Sequence, residues 1–310
     1  MFDLNEIVRL FMVQSSKKKA VAIIFGASLS GKNAIKIVSE SFEVIAFIDN
    51  APARQGTTIS NIPVYGAAKI SQLLFDKILI ASEFAEKIHE QLINEYSIDP
   101  DNIIELPNRV TKSIQFGHDE KFRQLSMQIL LLICTRLNKA KVPYYIDAGT
   151  LLGIYRDGAL IPWDDDLDIA VPSHSLEHVK TVITACLAEL QTLTNEPWEL
   201  ITHFSEKQFG AVNSGDVRGL KLKSKNTETL LPMMDVFVKY INEDVMDYTL
   251  ASRGFRMPSE HILTLDTMDF HGCSINIPSQ TALYLQRHYG DWKTPKEDWK
   301  MSEIKSATVF

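Results

Sequence analysis

Between Ile161 and Val171 the chain reads Ile161-Pro162-Trp163-Asp164-Asp165-Asp166-Leu167-Asp168-Ile169-Ala170-Val171, and the end of this run alternates. Side chains along a β-strand point to opposite faces in turn, so Leu167, Ile169 and Val171 share one face, while Asp166 and Asp168 share the other. The apolar trio belongs in a core. The two carboxylates then stand side by side, and their charges repel unless a cation lies between them. Paired carboxylates beside a phosphate cradle suit magnesium-dependent phosphoryl or nucleotidyl transfer, where Mg2+, or Mn2+ in its place, bridges protein oxygens to phosphates. A solvated acidic turn is the plain alternative, but it gives no reason for the alternation to continue into Ile169 and Val171.

Other parts of such a site can be read nearby. Tyr144 to Asp147 forms a strand, and Gly149-Thr150 lies at the turn into a helix, where backbone N–H groups can cradle donor phosphates. In Met233-Met234-Asp235-Val236-Phe237-Val238 a single acid interrupts an apolar strand. Burying it unpaired would be costly, so Asp235 is expected as the third metal-site carboxylate or as a base. Arg156, one turn into the helix after the cradle, is placed either to neutralise a non-bridging phosphate oxygen or to pair with Asp157 or Asp164. Lys221 and Lys223 share a strand face and read as a wet face rather than as phosphate ligands. Trp163 and Trp292 either stack on a base or sugar or pack a core. His118, His174 and His288 read as surface or loop histidines.

Two grammars divide the 310 residues. The first hundred alternate strand and helix: a strand at Ala20 to Phe25, a glycine turn, a helix at Lys32 to Ser41 and a strand at Val44 to Asp49. A helix near Ala67 to Leu74, a strand at Lys77 to Ala81, a helix at Glu83 to Tyr96 and a strand at Ile103 to Leu106 follow, which makes an α/β unit. Pro107 to His118 is polar and without period, so the boundary falls there and gives domains 1–112 and 113–310. The second domain is of α+β order. It has a long helix over Phe122 to Asn138, a helix over Leu176 to Leu190, and strands near Leu167 to Val171, Gly219 to Leu222 and Met234 to Val238.

The turn Phe25-Gly26-Ala27-Ser28-Leu29-Ser30-Gly31-Lys32-Asn33 lies between strand and helix, where a phosphate would be favoured. A P-loop needs Ser or Thr where Asn33 stands. A dinucleotide turn would want glycine where Ser28 stands, although Asp49 ends the next strand at the place of a ribose-binding carboxylate. A module that only stabilises its neighbour, with Asp49 capping a loop, is the third reading. Residues 20 to 106, including Val44-Ile45-Ala46-Phe47-Ile48-Asp49-Asn50 and Ile62-Pro63-Val64-Tyr65-Gly66, resemble the Rossmann-like modules attached to bacterial polysaccharide enzymes.

The Gly149-Thr150-Leu151-Leu152-Gly153 turn, Arg156 and the Ile161-Pro162-Trp163-Asp164-Asp165-Asp166-Leu167-Asp168 run together resemble the LicD family. Phe270-His271-Gly272, Ile277-Pro278, Tyr284-Leu285 and Tyr289-Gly290-Asp291-Trp292 resemble its C-terminal signature, so the likeness spans about residues 118 to 300. The resemblance implies a nucleotidyltransferase-like fold of the polymerase β type for the second domain. It also implies that Asp166 and Asp168 hold magnesium, that Gly149 and Thr150 touch donor phosphates, and that Asp235 completes the site. The gap from Thr150 to Asp166 is longer than the wider superfamily usually has. The expected reaction moves a phospho-substituent from a CDP-linked donor to a hydroxyl of a glycan or glycolipid precursor, releasing CMP. A nucleotidyltransferase releasing pyrophosphate is one alternative, and a catalytically silent nucleotide- or sugar-binding partner of a polysaccharide assembly complex is another.

Composition narrows the field further. A formal net charge of −7 supplies no basic field for nucleic acid. The apolar run Ile129 to Cys134 falls far short of the ~20 residues needed to span a bilayer. Glu6 and Arg9 interrupt the first residues and no small-residue cleavage site follows, so a cytoplasmic protein is expected, with peripheral association at the inner face of the membrane left open. Cys134, Cys186 and Cys273 lack the spacing of a zinc site or a disulfide framework and read as reduced core residues.

Overall fold

The computed structural model describes residues 19–309 apart from 83, 113, 227–228, 251–252, 298, 300–302 and 305–306. Glu6 and Arg9 lie outside the described residues. The chain divides into two compact units, Met1–Ser113 and Ile114–Phe310. Among the described residues, no helix is long and apolar enough to cross a membrane, and Cys134, Cys186 and Cys273 are free thiols.

The first unit comprises β1 (Ala20–Phe25), α1 (Leu29–Val38), β2 (Phe42–Ile48), β3 (Thr58–Ile59), β4 (Ile62–Tyr65), β5 (Lys77–Ile80), α2 (Ala85–Asn94), β6 (Ile103–Glu105) and the short α3 (Asn108–Thr111). Its sheet runs β3-β4-β2-β1-β5-β6, parallel throughout except for the β3–β4 pair. Its parallel strands stand in the doubly wound order, with β1 central. Alternation along β1 serves both faces at once. Ala22 and Ile24 pack with Ala34 and Ile35 of α1, whereas Ile23 and Phe25 pack with Ile88 and Leu92 of α2. The helix expected near Ala67 to Leu74 is a 3-10 helix over Ala67–Gln72, and the segment expected to be irregular after Pro107 contains α3.

The glycine turn after β1 is satisfied from within the unit. Asp49 Oδ2 accepts the Ala27 N–H at 2.8 Å and the Arg54 guanidinium at 3.1 Å, while its Oδ1 accepts the Ala51 N–H at 2.8 Å. Asn33, where a P-loop would carry its hydroxyl, donates from its amide to the Thr111 carbonyl at 3.0 Å. Asp49 thus caps the turn that precedes α1.

The second unit comprises α4 (Glu120–Lys139), β7 (Tyr145–Ile146), α5 (Ala148–Asp157), β8 (Asp166–Pro172), α6 (Leu176–Thr194), β9 (Trp198–Phe204), β10 (Val217–Ser224), β11 (Met233–Asn242), β12 (Val245–Leu250) and β13 (Arg253–Pro258). These are followed by α7 (Glu260–Leu263), the hairpin β14 (Leu265–Phe270) and β15 (Cys273–Pro278), α8 (Thr281–Tyr289) and β16 (Ala307–Val309). β11 organises its mixed sheet. It pairs in parallel with β8, Met233 opposite Asp166 through Lys239 opposite Pro172, and antiparallel with β10 and β12. Leu167, Ile169 and Val171 are fully buried in a core shared with Ile129, Ile133 and Leu137 of α4 and Val179, Ile183 and Leu190 of α6. Burying such a side chain contributes about 1.5–3 kcal/mol, and this fixes which face of β8 is turned away from the helices.

A methyl group on Gly31 would overlap the Gly26 carbonyl oxygen, because α1 packs directly on the turn that starts it. Gly31→Ala is therefore expected to destabilise the first unit by about 1–3 kcal/mol, the usual cost of overpacking. Denaturant unfolding followed by amide exchange in β1 and α1 measures this.

Candidate active site

Because the core takes Leu167, Ile169 and Val171, β8 turns its carboxylates to the other face. Asp164, Asp166 and Asp168 each bring a carboxylate oxygen within 4.8 Å of the others. Asp168 is buried. Burial first, and then the charges of Asp166, Asp164, Asp235 and Asp147, push its carboxyl well above the usual carboxylate range. Hard oxygen donors this crowded, one of them resisting ionisation, make a chemically suitable cage for a divalent cation.

The first turn of α5 is fastened to the acidic strand. The Asp168 N–H donates to Thr150 Oγ1 at 2.8 Å, and the Asp147 N–H donates to the Asp168 carbonyl at 3.1 Å. Asp168 is therefore gripped at both ends of its backbone. Gly149 lies against the Asp164 carboxylate, where a Cβ would collide with Oδ2. Ala148 holds a left-handed φ of +47°, a strained conformation for a residue with a side chain.

Beneath this turn lies a buried polar cluster. Asp147 accepts the Tyr284 hydroxyl at 2.6 Å on Oδ1, and the Lys239 ammonium lies 2.9 Å from its Oδ2. That ammonium also sits 3.1 Å above the centre of the Tyr248 ring. Burial pushes the Asp147 carboxyl up. The charges of Lys239 and His288, together with the Tyr284 hydrogen bond, more than offset this and hold it below its ordinary value. Burial pushes His288 down to about 4, against the attraction of Asp147.

The sequence-predicted residues separate. Asp166 and Asp168 meet as expected. Asp235 stands directly opposite Asp168 on β11 and lies 3.2 Å from the Lys221 ammonium, outside the three-carboxylate cage. Asp164, two residues before β8, joins Asp166 and Asp168 there. Thr150 is buried with its hydroxyl accepting from Asp168. Arg156 donates to Asp157 at 2.7–3.0 Å and to the Trp292 carbonyl at 3.3 Å, so here it clamps the C-terminal segment to α5. Trp292 packs against Tyr155, and Trp163 lies at the core margin. His288, read from the sequence as a surface or loop residue, is buried among Phe255, Tyr284 and Tyr289, because α8 turns it inward. Lys239 shares its strand parity with Asp235, the one sequence signal that could have placed it on this face.

Residues 141–280 match the family model described as LicD/FKTN/FKRP, nucleotidyltransferase domain, and residues 17–104 match one described as C2185-like, N-terminal. The first of these matches falls wholly within the second unit. The human ribitol-5-phosphate transferase FKTN is 28% identical over 190 residues, covering 58% of this chain and 36% of that protein. The chain spans little more than a third of this relative's length. The uncharacterized protein RP689 of Rickettsia prowazekii is 40% identical over 47 residues, 15% of this chain and 18% of that protein. Among solved structures, ANT(2")-Ia in complex with adenylyl-2"-tobramycin aligns at 13% identity over 58% of this chain and 83% of that one, with a TM-score of 0.33. That value is too low to support a shared fold.

The crowding of Asp168 has a measurable consequence. A carboxyl whose folded-state pKa is raised contributes stability at acid pH and loses it as pH rises through the folded value. Asp168→Asn, freed of this repulsion, is expected to melt higher than the wild-type chain in EDTA at pH 7. The gain should be roughly 2–4 °C, the shift about 1 kcal/mol produces in a domain of this size. The gap should narrow toward the ordinary carboxyl value of 3.8. Calorimetric melts from pH 4 to pH 8 read it directly.

Proposed function

We propose that the second unit transfers a phospho-substituent of the phosphocholine, phosphoethanolamine or phosphopolyol kind from a CDP-linked donor to a hydroxyl of a glycan or glycolipid precursor. The carrying observation is the three-carboxylate cage of Asp164, Asp166 and Asp168 against the first turn of α5, within a LicD-type domain. The name of the human relative, ribitol-5-phosphate transferase, supports the class of transferred group. The N-terminal turn of α5, whose own N-cap carboxylate is turned away, receives donor phosphate oxygens on its backbone N–H groups. Asp164, Asp166 and Asp168 would hold Mg2+, which when bound would offset the charge of the diphosphate. The acceptor oxygen attacks the distal phosphorus in line, the bond to CMP breaks, and CMP leaves with the electron pair. Asp235, oriented by Lys221 one strand away, takes the proton of the attacking hydroxyl at its carboxylate.

Incubating the full chain with CDP-choline, CDP-ethanolamine, CDP-glycerol and CDP-ribitol tests this. Magnesium-dependent CMP release from at least one donor is expected. Asp166→Asn and Asp168→Asn should each cut it roughly 1,000-fold, equivalent to about 4 kcal/mol of transition-state stabilisation. Release of pyrophosphate from nucleoside triphosphates in place of CMP, or unchanged turnover in both variants, would refute the assignment.

A further inference from the structure

An aspartate immediately before a helix ordinarily turns its carboxylate onto the helix's own first N–H groups. Asp147 occupies that position in α5 and makes no such bond. Both of its oxygens are engaged below, by Tyr284 of α8 and Lys239 of β11. The side chains of this ion pair are 3% and 0% exposed, and removing two charges from water so completely is expensive. The pair lies where the chain is most constrained. Next to it Ala148 holds its left-handed φ, Gly149 touches Asp164, and the Asp147 and Thr150 groups hold the two ends of the Asp168 backbone.

We infer that Asp147, anchored by Lys239 and Tyr284, is a positioning residue that sets Asp168 within the carboxylate cage and keeps the N-terminus of α5 clear for a phosphate. This rests on the transferase reading for its chemistry, but not for its geometry. The anchor withdraws the one carboxylate that would otherwise cap the helix and compete with an incoming anion. It also braces a strained turn from two elements, β11 and α8, that pack from different directions. Ligand-orienting partners outside a metal's own shell typically change cation affinity or activity by roughly 10–100-fold when removed, and the same order is expected here.

Breaking only one side of the pair leaves a buried charge alone, so Asp147→Asn is at risk of unfolding. The informative variant is Asp147→Asn with Lys239→Met, which removes both charges at similar volume. Its melting temperature should lie within about 5 °C of the wild-type chain. Titration calorimetry with Mg2+ and Mn2+ should nevertheless show affinity reduced by at least about 10-fold. With whichever CDP-linked donor the chain accepts, kcat should fall at least as far, and the donor KM should rise, because the substituted side chain at position 147, freed of its anchor, can cap α5 in the phosphate's place. Tyr284→Phe, which deletes a single hydroxyl and keeps the ring, should show the same pattern at smaller amplitude, and it decides the matter if the double variant does not fold. A folded double variant with wild-type cation affinity would overturn the inference and reduce the pair to a fold element, as would an unaltered Tyr284→Phe. A wild-type chain that binds cation yet releases no CMP from any donor would refute the transferase reading alone, since the affinities still report on the pair. A wild-type chain that binds no divalent cation would overturn both.

Discussion

Everything in the second unit answers to a repulsion. Three carboxylates, Asp164 just before β8 and Asp166 and Asp168 within it, crowd together, and left to themselves such charges would separate. They stay together because the opposite side of the same strand is committed. Leu167, Ile169 and Val171 are locked under α4 and α6, and their burial outweighs the electrostatic cost on the other face. β7 and β11 hold the strand from both sides, and the hydroxyl of Thr150 fixes the peptide of Asp168. The energy of an ordinary hydrophobic core is thus used to hold an unfavourable charge arrangement.

The parity of β8 was fully legible in the sequence, because a period of two leaves no other way to bury three aliphatic residues. Asp164 lies two residues before β8, outside the strand, so strand parity does not place it in the cluster. Asp235 is read as a third metal-site carboxylate or a base from the cost of burying a lone acid; it stands opposite Asp168, with Lys221 beside it across the β10–β11 pair. Nothing local announces such a partner. Lys239 was hidden for a related reason: a lysine after an apolar run ordinarily reads as solvent-facing, whereas here its ammonium lies over the Tyr248 ring and beside the Asp147 carboxylate. The strands β9 and β12 to β15 escaped notice, although β12 with β13 and β14 with β15 pair as consecutive antiparallel neighbours. Asp247, wholly buried in β12, is held by Arg256 of β13 and by the Ala211 N–H.

The first unit shows the converse. Its alternation of strand and helix gave the doubly wound sheet, with each face of β1 matched to its own helix. The glycine turn left three readings open, and the hydrogen bonds of Asp49 and Asn33 show where those two side chains point. A carboxylate at the end of the second strand can face a ribose or its own chain, and composition does not separate the two. Here it faces Ala27, Ala51 and Arg54.

The parallel pairing of β8 with β11 bears on how the site comes into being. Asp168 and Asp235 are neighbours in the sheet but far apart along the chain, with α6, β9 and β10 lying between them. Parallel partners cannot meet through a tight hairpin, so their contact carries the entropy of closing a long loop and forms late. During synthesis the acidic run emerges well before β11. Until that strand arrives, β8 has one lateral edge without its partner, a template for non-native pairing. The charges that serve the folded protein also protect this nascent strand, since like-charged edges repel one another.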